Sequence, residues 1–203
     1  MRSEKKENRI REEIDRMGRP TIGMLDLEIA RGQRSEAYKK MMRGVMLSIV
    51  IAAAVIVLIA NLWFAPMQVN GSAMNPLLQR DGVVLVTLQS KAVKNDVIVF
   101  FQNNKLFFRR VIATGGDMVD IGQDGTVSVN GIPLDEPYVA ELAMGDCDID
   151  LPYQVSAGTV FVMGDNRTVA KDSRLSEFGV VSKDQIVGKV VFRLWPLSQL
   201  GSA

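Results

Sequence analysis

Residues 97–131 read VIVFFQNNKLFFRRVIATGGDMVDIGQDGTVSVNG, and this stretch predicts the fold of most of the chain. Short apolar runs rich in β-branched residues alternate in it with turn signals. Asp124-Gly125 separates two of these runs and Asn130-Gly131 follows the second, and both dipeptides are typical of tight turns between strands. The stretch therefore predicts a succession of short β-strands.

The same pattern continues on both sides of this stretch. Seven runs are predicted as strands: 83–88, 97–101, 106–113, 118–121, 126–129, 159–163 and 187–194. Because no convincing helix lies between them, we expect a mainly β, antiparallel or mixed, barrel-like domain over residues 67–203. The acidic segment 135–157 contains proline and is predicted to be a long, exposed loop.

An uninterrupted apolar segment, GVMLSIVIAAAVIVLIANLWFAP, precedes this domain at residues 44–66. As a helix with a rise of ~1.5 Å per residue, it is long enough to cross a bilayer core of roughly 30 Å. Trp63 and Phe64 lie at its C-terminal end, where aromatic side chains favour the membrane–water interface. A buried helix of a soluble core fits less well, because such helices are shorter and carry a polar stripe. We therefore predict one transmembrane helix.

The charges around this segment predict its orientation. Five cations flank its N-terminal side: Arg31, Arg34, Lys39, Lys40 and Arg43. Only Glu36 opposes them locally, and no cation follows the segment before Arg80. The positive-inside bias predicts a single-pass protein of the cell membrane, with a cytoplasmic N-terminus and residues 67–203 extracytoplasmic. A cleaved secretory signal fits less well, because the apolar run is longer than the core of a signal peptide.

Residues 1–43 are predicted to form a charged, helical cytoplasmic arm. A helix is expected over residues 5–17, with a break near Gly18-Arg19-Pro20 and a second helix from about Thr21. The arm is interpreted as a solvated topology signal rather than as a docking arm for a partner.

The composition excludes several classes of protein. A net charge of +1 gives no reason to expect a nucleic-acid partner. The chain has no histidine and a single cysteine, Cys147, so an internal disulfide, a His-ligated zinc site and a Ser-His-Asp triad are excluded. Cys147 lies between Asp146 and Asp148 and is interpreted as an incidental surface thiol. We expect neither a metal nor a cofactor.

Several short motifs are more specific than the strands. In chain order they are Gly71-Ser72-Ala73-Met74-Asn75-Pro76, Lys94-Asn95-Asp96, Arg109-Arg110-Val111-Ile112, Gly115-Gly116-Asp117, Gly164-Asp165-Asn166-Arg167 and Asp172-Ser173-Arg174. In this order behind one N-terminal span, they resemble the boxes of the bacterial signal peptidase I family. Asn95 stands where that family usually has glycine. The resemblance covers roughly residues 40–200.

Members of that family are membrane-anchored serine endopeptidases that remove signal peptides from exported proteins. The resemblance implies a Ser–Lys dyad, in which the serine directly precedes the methionine of the first box. A neutral lysine, directly before Arg-Val-Ile of the middle box, accepts the proton of the serine. A further serine, three residues after the arginine of the Gly-Asp-Asn-Arg box, supports the lysine.

This chain carries Ala73, Arg109 and Ala170 at those three positions. A methyl group is no nucleophile, and a guanidinium with a pKa above ~12 cannot serve as a general base. Ser72 lies one residue early, and in an extended segment it would point to the opposite face. Lys105, four residues before Arg109, is not a convincing replacement for the lysine. We therefore predict that no catalytic residue is intact.

The predicted peptide-binding region comprises Gly71, Ser72, Ala73, Met74, Pro76, Arg109 and Arg110. By the same resemblance, a turn and an ion pair behind the site are expected from Asp165, Asn166, Arg167, Asp172, Ser173 and Arg174. Two interpretations of Arg109 stay open. In the favoured one, its side chain reaches water or pairs with a carboxylate such as Asp165 or Asp172. In the other, it binds the carboxylate of a partner.

The resemblance implies a non-catalytic membrane protein that holds extended segments of exported or pilin proteins as an added strand. Similar inactive relatives in Gram-positive bacteria assist the assembly of sortase-linked pili, so a sortase-linked machinery is the implied partner. Two alternatives stay open. One is an active signal peptidase with unconventional catalytic residues. The other is a structural subunit of an export or assembly complex whose groove is occluded.

Overall fold

The computed structural model describes residues 2–18, 22–88 and 90–202. The chain divides into two compact units, Met1–Val57 and Leu58–Ala203. Each unit is described by itself.

Two helices make up the N-terminal part: α1 (Arg2–Met17) and α2 (Ile22–Trp63). Helix α1 ends where predicted, and Gly18 follows it with a φ of 66°, a conformation typical of helix C-termini. The rest of the predicted break, at Arg19 and Pro20, lies outside the described residues. Within the described ranges, α2 is the one helix long and apolar enough to cross a membrane.

The predicted C-terminal boundary of the apolar helix, at Pro66, is wrong. Helix α2 ends at Trp63, and Phe64–Gln68 forms a strand instead. A residue that precedes proline disfavours the helical conformation, and proline itself is tolerated on an edge strand, where its missing N–H is not needed. Residues 44–63 still span about 30 Å at ~1.5 Å per residue.

Residues 64–202 are mainly β. The strands are β1 (Phe64–Gln68), β2 (Val83–Leu88), β3 (Val97–Gln102), β4 (Lys105–Thr114), β5 (Met118–Ile121), β6 (Val127–Val129), β7 (Ile132–Pro133), β8 (Tyr153–Gln154), β9 (Thr159–Met163), β10 (Val181–Ser182), β11 (Ile186–Trp195) and β12 (Gly201–Ser202). Two short 3₁₀ turns, Lys183–Gln185 and Leu197–Gln199, flank β11. All seven predicted strands are present, each within one residue of its expected bounds.

The strands form two sheets. The larger has eight strands in the order β1-β2-β11-β3-β4-β9-β10, with β12 also paired to β11. The smaller has the order β7-β6-β5-β8. Every pairing in both sheets is antiparallel. The mainly β fold behind an N-terminal apolar helix is therefore confirmed.

The turn between β6 and β7 forms as the dipeptide predicts. Asn130 and Gly131 have φ values of 56° and 80°, and Val129 pairs with Ile132 across them. Two consecutive residues with positive φ define a type I′ turn, whose twist matches that of the flanking strands.

The interpretation of residues 135–157 as an exposed loop is wrong in part. Glu136 forms a buried ion pair with Arg167, and the side chain of Leu151 packs against the core between the two sheets. Tyr153–Gln154 forms β8, which pairs with β5. The segment stays attached to the domain because a buried cation needs the Glu136 carboxylate.

The motif Gly115-Gly116-Asp117 forms the corner between the two sheets. Asp117 accepts hydrogen bonds from Lys94 Nζ at 2.8 Å, Asn130 Nδ2 at 2.8 Å and Thr114 N at 2.8 Å. Burial disfavours the charged carboxylate, but the hydrogen bonds from Lys94, Thr114 and Asn130 together outweigh it. They hold the pKa of Asp117 well below its usual range.

A carboxylate whose pKa is depressed by folding adds stability above its unfolded pKa of about 4, and this contribution is lost as the pH falls below that value. We therefore expect Asp117→Asn to lower Tm at neutral pH, and to make Tm fall less steeply below about pH 4 than in the unmodified protein. Calorimetry of the full chain across this range measures both effects, with the exposed Asp184→Asn as control. If Tm fell as steeply below about pH 4 in Asp117→Asn as in the unmodified protein, the stabilising role of the Asp117 carboxylate would be contradicted.

Candidate functional site

Ala73 and Arg109 line one open pocket of about 590 Å³. The lining residues are Asn70, Gly71, Ser72, Ala73, Phe101, Asn104, Lys105, Leu106, Phe107, Arg109, Val169 and Lys171. Four of these residues belong to β4: Lys105, Leu106, Phe107 and Arg109. The pocket therefore joins the first and middle boxes of the sequence.

The first box is a series of turns held by the Gly-Asp-Asn-Arg box. Asn75 N donates to Ser72 O at 3.1 Å within the turn. The backbone N–H of Asn166 donates to Ala73 O at 3.0 Å, and Asn166 Nδ2 donates to Ser72 O at 3.3 Å. Asn166 thus positions the peptide units on either side of Ala73.

Gly164 lies where Ala73 and Ala170 converge. A Cβ atom at Gly164 would lie 2.4 Å from Ala170 Cβ and 2.5 Å from Ala73 O, so no larger residue fits without displacement. Lys171, directly after Ala170, accepts hydrogen bonds from Arg109 through its carbonyl. The structure therefore brings Ala73, Arg109 and Ala170 into one neighbourhood.

The guanidinium of Arg109 is held by backbone carbonyls. Nε and Nη2 donate to Lys171 O at 3.0 and 2.6 Å, and Nη1 donates to Phe108 O at 2.7 Å. The guanidinium carbon lies 5.5 Å from the ring centroid of Phe107 and 5.9 Å from that of Phe178, within range of cation–π attraction. The side chain is only 6% exposed.

The predicted pairing of Arg109 with Asp165 or Asp172 is wrong. The alternative, that its side chain reaches water, holds only for the small exposed part that faces the open pocket. Asp165 pairs with Arg110, and Asp172 pairs with Arg174. Within the described parts of the chain, no carboxylate lies within ion-pair distance of Arg109. The cation is therefore buried with backbone dipoles as its nearest acceptors.

Burial lowers the pKa of Arg109 to about 10, although the charge of Asp172 partly opposes the shift and Arg174 adds to it. At pH 7 the charged form still outnumbers the neutral form by about a thousandfold. Arg109 is thus a cation under physiological conditions, and it cannot take a proton from a hydroxyl group.

The expectation that Ser72 points away from the site is wrong. It assumed an extended segment, but residues 71–78 form turns, and Ser72 and Ala73 both line the pocket. Ser72 is exposed, and so is Lys105, which also lines the pocket. The pocket therefore contains a hydroxyl and an amine, although neither occupies the position that the family uses.

Three residues of the predicted peptide-binding region lie elsewhere. Met74 is 2% exposed and packs in the core beside β2, and Pro76 lies on a separate depression of about 200 Å³. Arg110 points away from Arg109, because adjacent strand residues face opposite sides, and its guanidinium carbon lies 3.8 Å from the ring centroid of Tyr138. The candidate region narrows to Gly71, Ser72, Ala73 and Arg109.

Seven further lining residues were not predicted from the sequence: Asn70, Phe101, Asn104, Leu106, Phe107, Val169 and Lys171. The alternation along β4 could have placed Phe107 beside Arg109. No comparable signal marks Val169 or Lys171, which come from an irregular segment.

Three buried arginine–carboxylate pairs lie behind the pocket. Arg110 contacts Asp165 through two hydrogen bonds of 2.8 and 2.7 Å. The other two pairs are Arg167 with Glu136 and Arg174 with Asp172. Within the chain segments described, no group of three or more acidic or cysteine side chains could hold a metal ion. These charges pair with one another, and Asp172 and Arg167 also form hydrogen bonds to the backbone of Gly164.

Asn95, where the family usually has glycine, has a φ of 73°. Asparagine is one of the few residues other than glycine that enter this left-handed region readily. Its carbonyl accepts a hydrogen bond of 2.8 Å from Arg110 Nη1. Asparagine therefore fits the backbone conformation at position 95, from which its carbonyl reaches Arg110.

The chain matches the family model described as signal peptidase, peptidase S26, over residues 42–195. It is 34% identical over 181 residues to signal peptidase IB of Staphylococcus aureus strain Mu50, with 79% of this chain and 93% of that protein covered. It is 34% identical over 165 residues to signal peptidase I of Bacillus caldolyticus, with 73% of this chain and 89% of that protein covered. A crystal structure of a signal peptidase I from Enterococcus faecalis shares 27% identity over 49% of this chain and 97% of that one, with a TM-score of 0.41. The chain belongs to the signal peptidase family, peptidase S26.

Proposed function

We propose that this chain is a non-catalytic member of the family that binds extended segments of exported or pilin proteins. It would act as a chaperone or assembly factor for surface pili, beside a sortase-linked machinery. The observation that supports the loss of catalysis is the pair of side chains in the pocket. A methyl group stands at the nucleophile position, and a buried cation, Arg109, stands at the base position.

The lining of the pocket supports peptide binding. Phe101 is 49% exposed and Val169 is 57% exposed, although both are apolar and border the pocket. Covering such side chains is favourable by roughly 25 cal/mol for each Å² of apolar surface removed from water. An extended polypeptide can cover these apolar side chains. Every second side chain of such a ligand would face the pocket, and its backbone N–H and C=O groups would stay free to form hydrogen bonds with a strand. The exposure of these side chains also argues against an occluded groove.

The membrane arrangement is part of the proposal. Helix α2 would anchor the chain through residues 44–63, with the segment 1–43 in the cytoplasm and the β domain on the outer face. The charge bias around the apolar segment supports this orientation.

Binding of an amidated peptide copied from the processing region of an exported protein tests the proposal. We expect the full chain in nanodiscs to bind this peptide and leave it uncut. Phe101→Ser should weaken binding by about tenfold, because the contact of a phenyl ring is worth 1.5 kcal/mol or more. Ile132→Ser, a change at an exposed apolar residue of β7 that does not line the pocket, should leave binding unchanged. Absence of binding, or equal effects of the two variants, would count against the proposal.

The second candidate is an active signal peptidase with unconventional residues. The names of the curated relatives fit it, and so does the presence of Ser72 in the pocket. This candidate requires that the unmodified chain cuts a signal-peptide substrate and that Ser72→Ala abolishes the cleavage. Mass spectrometry of the products distinguishes it from the non-catalytic proposal.

A further inference from the structure

The pocket has an unbalanced charge. Lys105, Arg109 and Lys171 line it, and no Asp or Glu is among its lining residues within the part of the chain described. Glu177 approaches the Lys171 ammonium at 3.8 Å, but both side chains are more than 70% exposed, so this ion pair is weak. The pocket therefore presents a net positive field to a ligand.

Arg109 also offers hydrogen-bond donors to a ligand in the pocket. A guanidinium has five N–H bonds, and three of those of Arg109 donate to the carbonyls of Phe108 and Lys171. One N–H on each terminal nitrogen has no acceptor in the described structure. A buried charge without an ionic partner is costly, and an anion that enters the pocket would reduce that cost.

The apolar part of the lining indicates which kind of molecule bears the anionic group. Phe101, Leu106, Phe107 and Val169 surround the cations with apolar surface, which a small inorganic anion would leave uncovered. A carboxylate accepts two parallel N–H bonds from an arginine, and in a polypeptide it is attached to a chain that can cover the apolar wall.

We propose that this pocket is a carboxylate-binding site, in which Arg109 binds the carboxylate of a polypeptide ligand and Lys105 and Lys171 attract it. The carboxylate is either the C-terminus of the ligand or an acidic side chain. This inference rests on the proposed peptide-binding function and specifies its ligand class.

Four short peptides test it against the full chain in phosphatidylcholine nanodiscs. The first pair is acetyl-Val-Ala-Ala with a free carboxylate and the same peptide as its amide. The second pair is acetyl-Val-Glu-Ala-amide and its glutamine counterpart. We expect the charged member of at least one pair to bind about 10- to 100-fold more tightly than its neutral counterpart, as a hydrogen-bonded charge does. Arg109→Gln should remove this preference, and Lys183→Gln, an exposed cation that does not line the pocket, should keep it.

The outcomes separate this inference from the function on which it rests. A preference for the free C-terminus or for glutamate supports the site and identifies the source of the carboxylate. Neutral peptides that bind as well as charged ones would overturn the carboxylate site and leave peptide binding in place. Absence of all binding would overturn both. An Arg109-dependent rise in Tm on adding phosphatidylglycerol, without a preference for charged peptides, would assign the site to lipid and overturn the inference.

Discussion

Changing Ala73 to Ser and Arg109 to Lys together is expected to give the full chain measurable cleavage of a signal-peptide substrate. Ala73 lines the pocket, so a hydroxyl group there is within the same cavity as residue 109. At position 109, burial is the largest influence on the pKa and disfavours the charged form. Burial would also lower the pKa of a lysine there, and a neutral amine is what a general base requires.

The expected gain is large because the two residues act as a unit. Loss of a catalytic serine costs on the order of 10⁶ in turnover in a serine protease, and losing its base as well costs little more. Either single change should therefore leave the chain inactive, and the double variant should exceed the unmodified rate by at least about 10³-fold. Adding Ala170→Ser should raise the rate further, because Ala170 lies directly before the carbonyl that Arg109 contacts.

The single variants are the controls for this assay, with circular dichroism to check that each chain folds. Cleavage by the unmodified chain that disappears in Ser72→Ala would refute the assignment of Ala73 and Arg109 as lost catalytic positions. An inactive but folded triple variant would show that the pocket has lost more than these side chains.

The sequence pattern was sufficient to predict the longer strands but not the two-residue strands. Strands such as Thr159–Met163 carry a run of apolar residues that is visible without a structure. The two-residue strands, such as Ile132–Pro133, are too short to show a period of two. Strand β1 was missed for another reason: its apolar residues continue the composition of the preceding helix, and only Pro66 signals the change.

The short motifs predict which positions of the chain the candidate site uses, but they do not predict the hydrogen-bond partners of those residues. Each motif gives the position of a side chain along the chain, and the structure places Ala73, Arg109 and Ala170 in one neighbourhood. The acceptors of Arg109 are the backbone carbonyls of Lys171 and Phe108, and a backbone contact cannot be predicted from residue types. The direction of Ser72 also depended on turn geometry that the motif does not encode.

The buried pair behind the pocket gives the largest expected effect on stability. Asp172 Oδ1 and Oδ2 accept hydrogen bonds of 2.8 and 2.9 Å from Arg174, and Oδ2 accepts another of 2.9 Å from Gly164 N. Both side chains of the pair are fully buried. We expect Asp172→Ala to lower the free energy of unfolding by about 3–5 kcal/mol, because it leaves the Arg174 cation buried and unpaired.

Urea denaturation of the full chain, followed by tryptophan fluorescence, measures this loss, and a nearby exposed ion pair provides the matched control. Glu177 lies 3.8 Å from the Lys171 ammonium with both side chains exposed, so Glu177→Ala should cost less than about 1 kcal/mol. The double variant Asp172→Ala/Arg174→Ala should be less destabilised than the sum of the two single variants, because no charge is left without its partner. Strict additivity would mean that the two residues stabilise the fold independently. Asp172 would then hold Gly164, which contacts Ala73 and Ala170, through its own hydrogen bond and without help from Arg174.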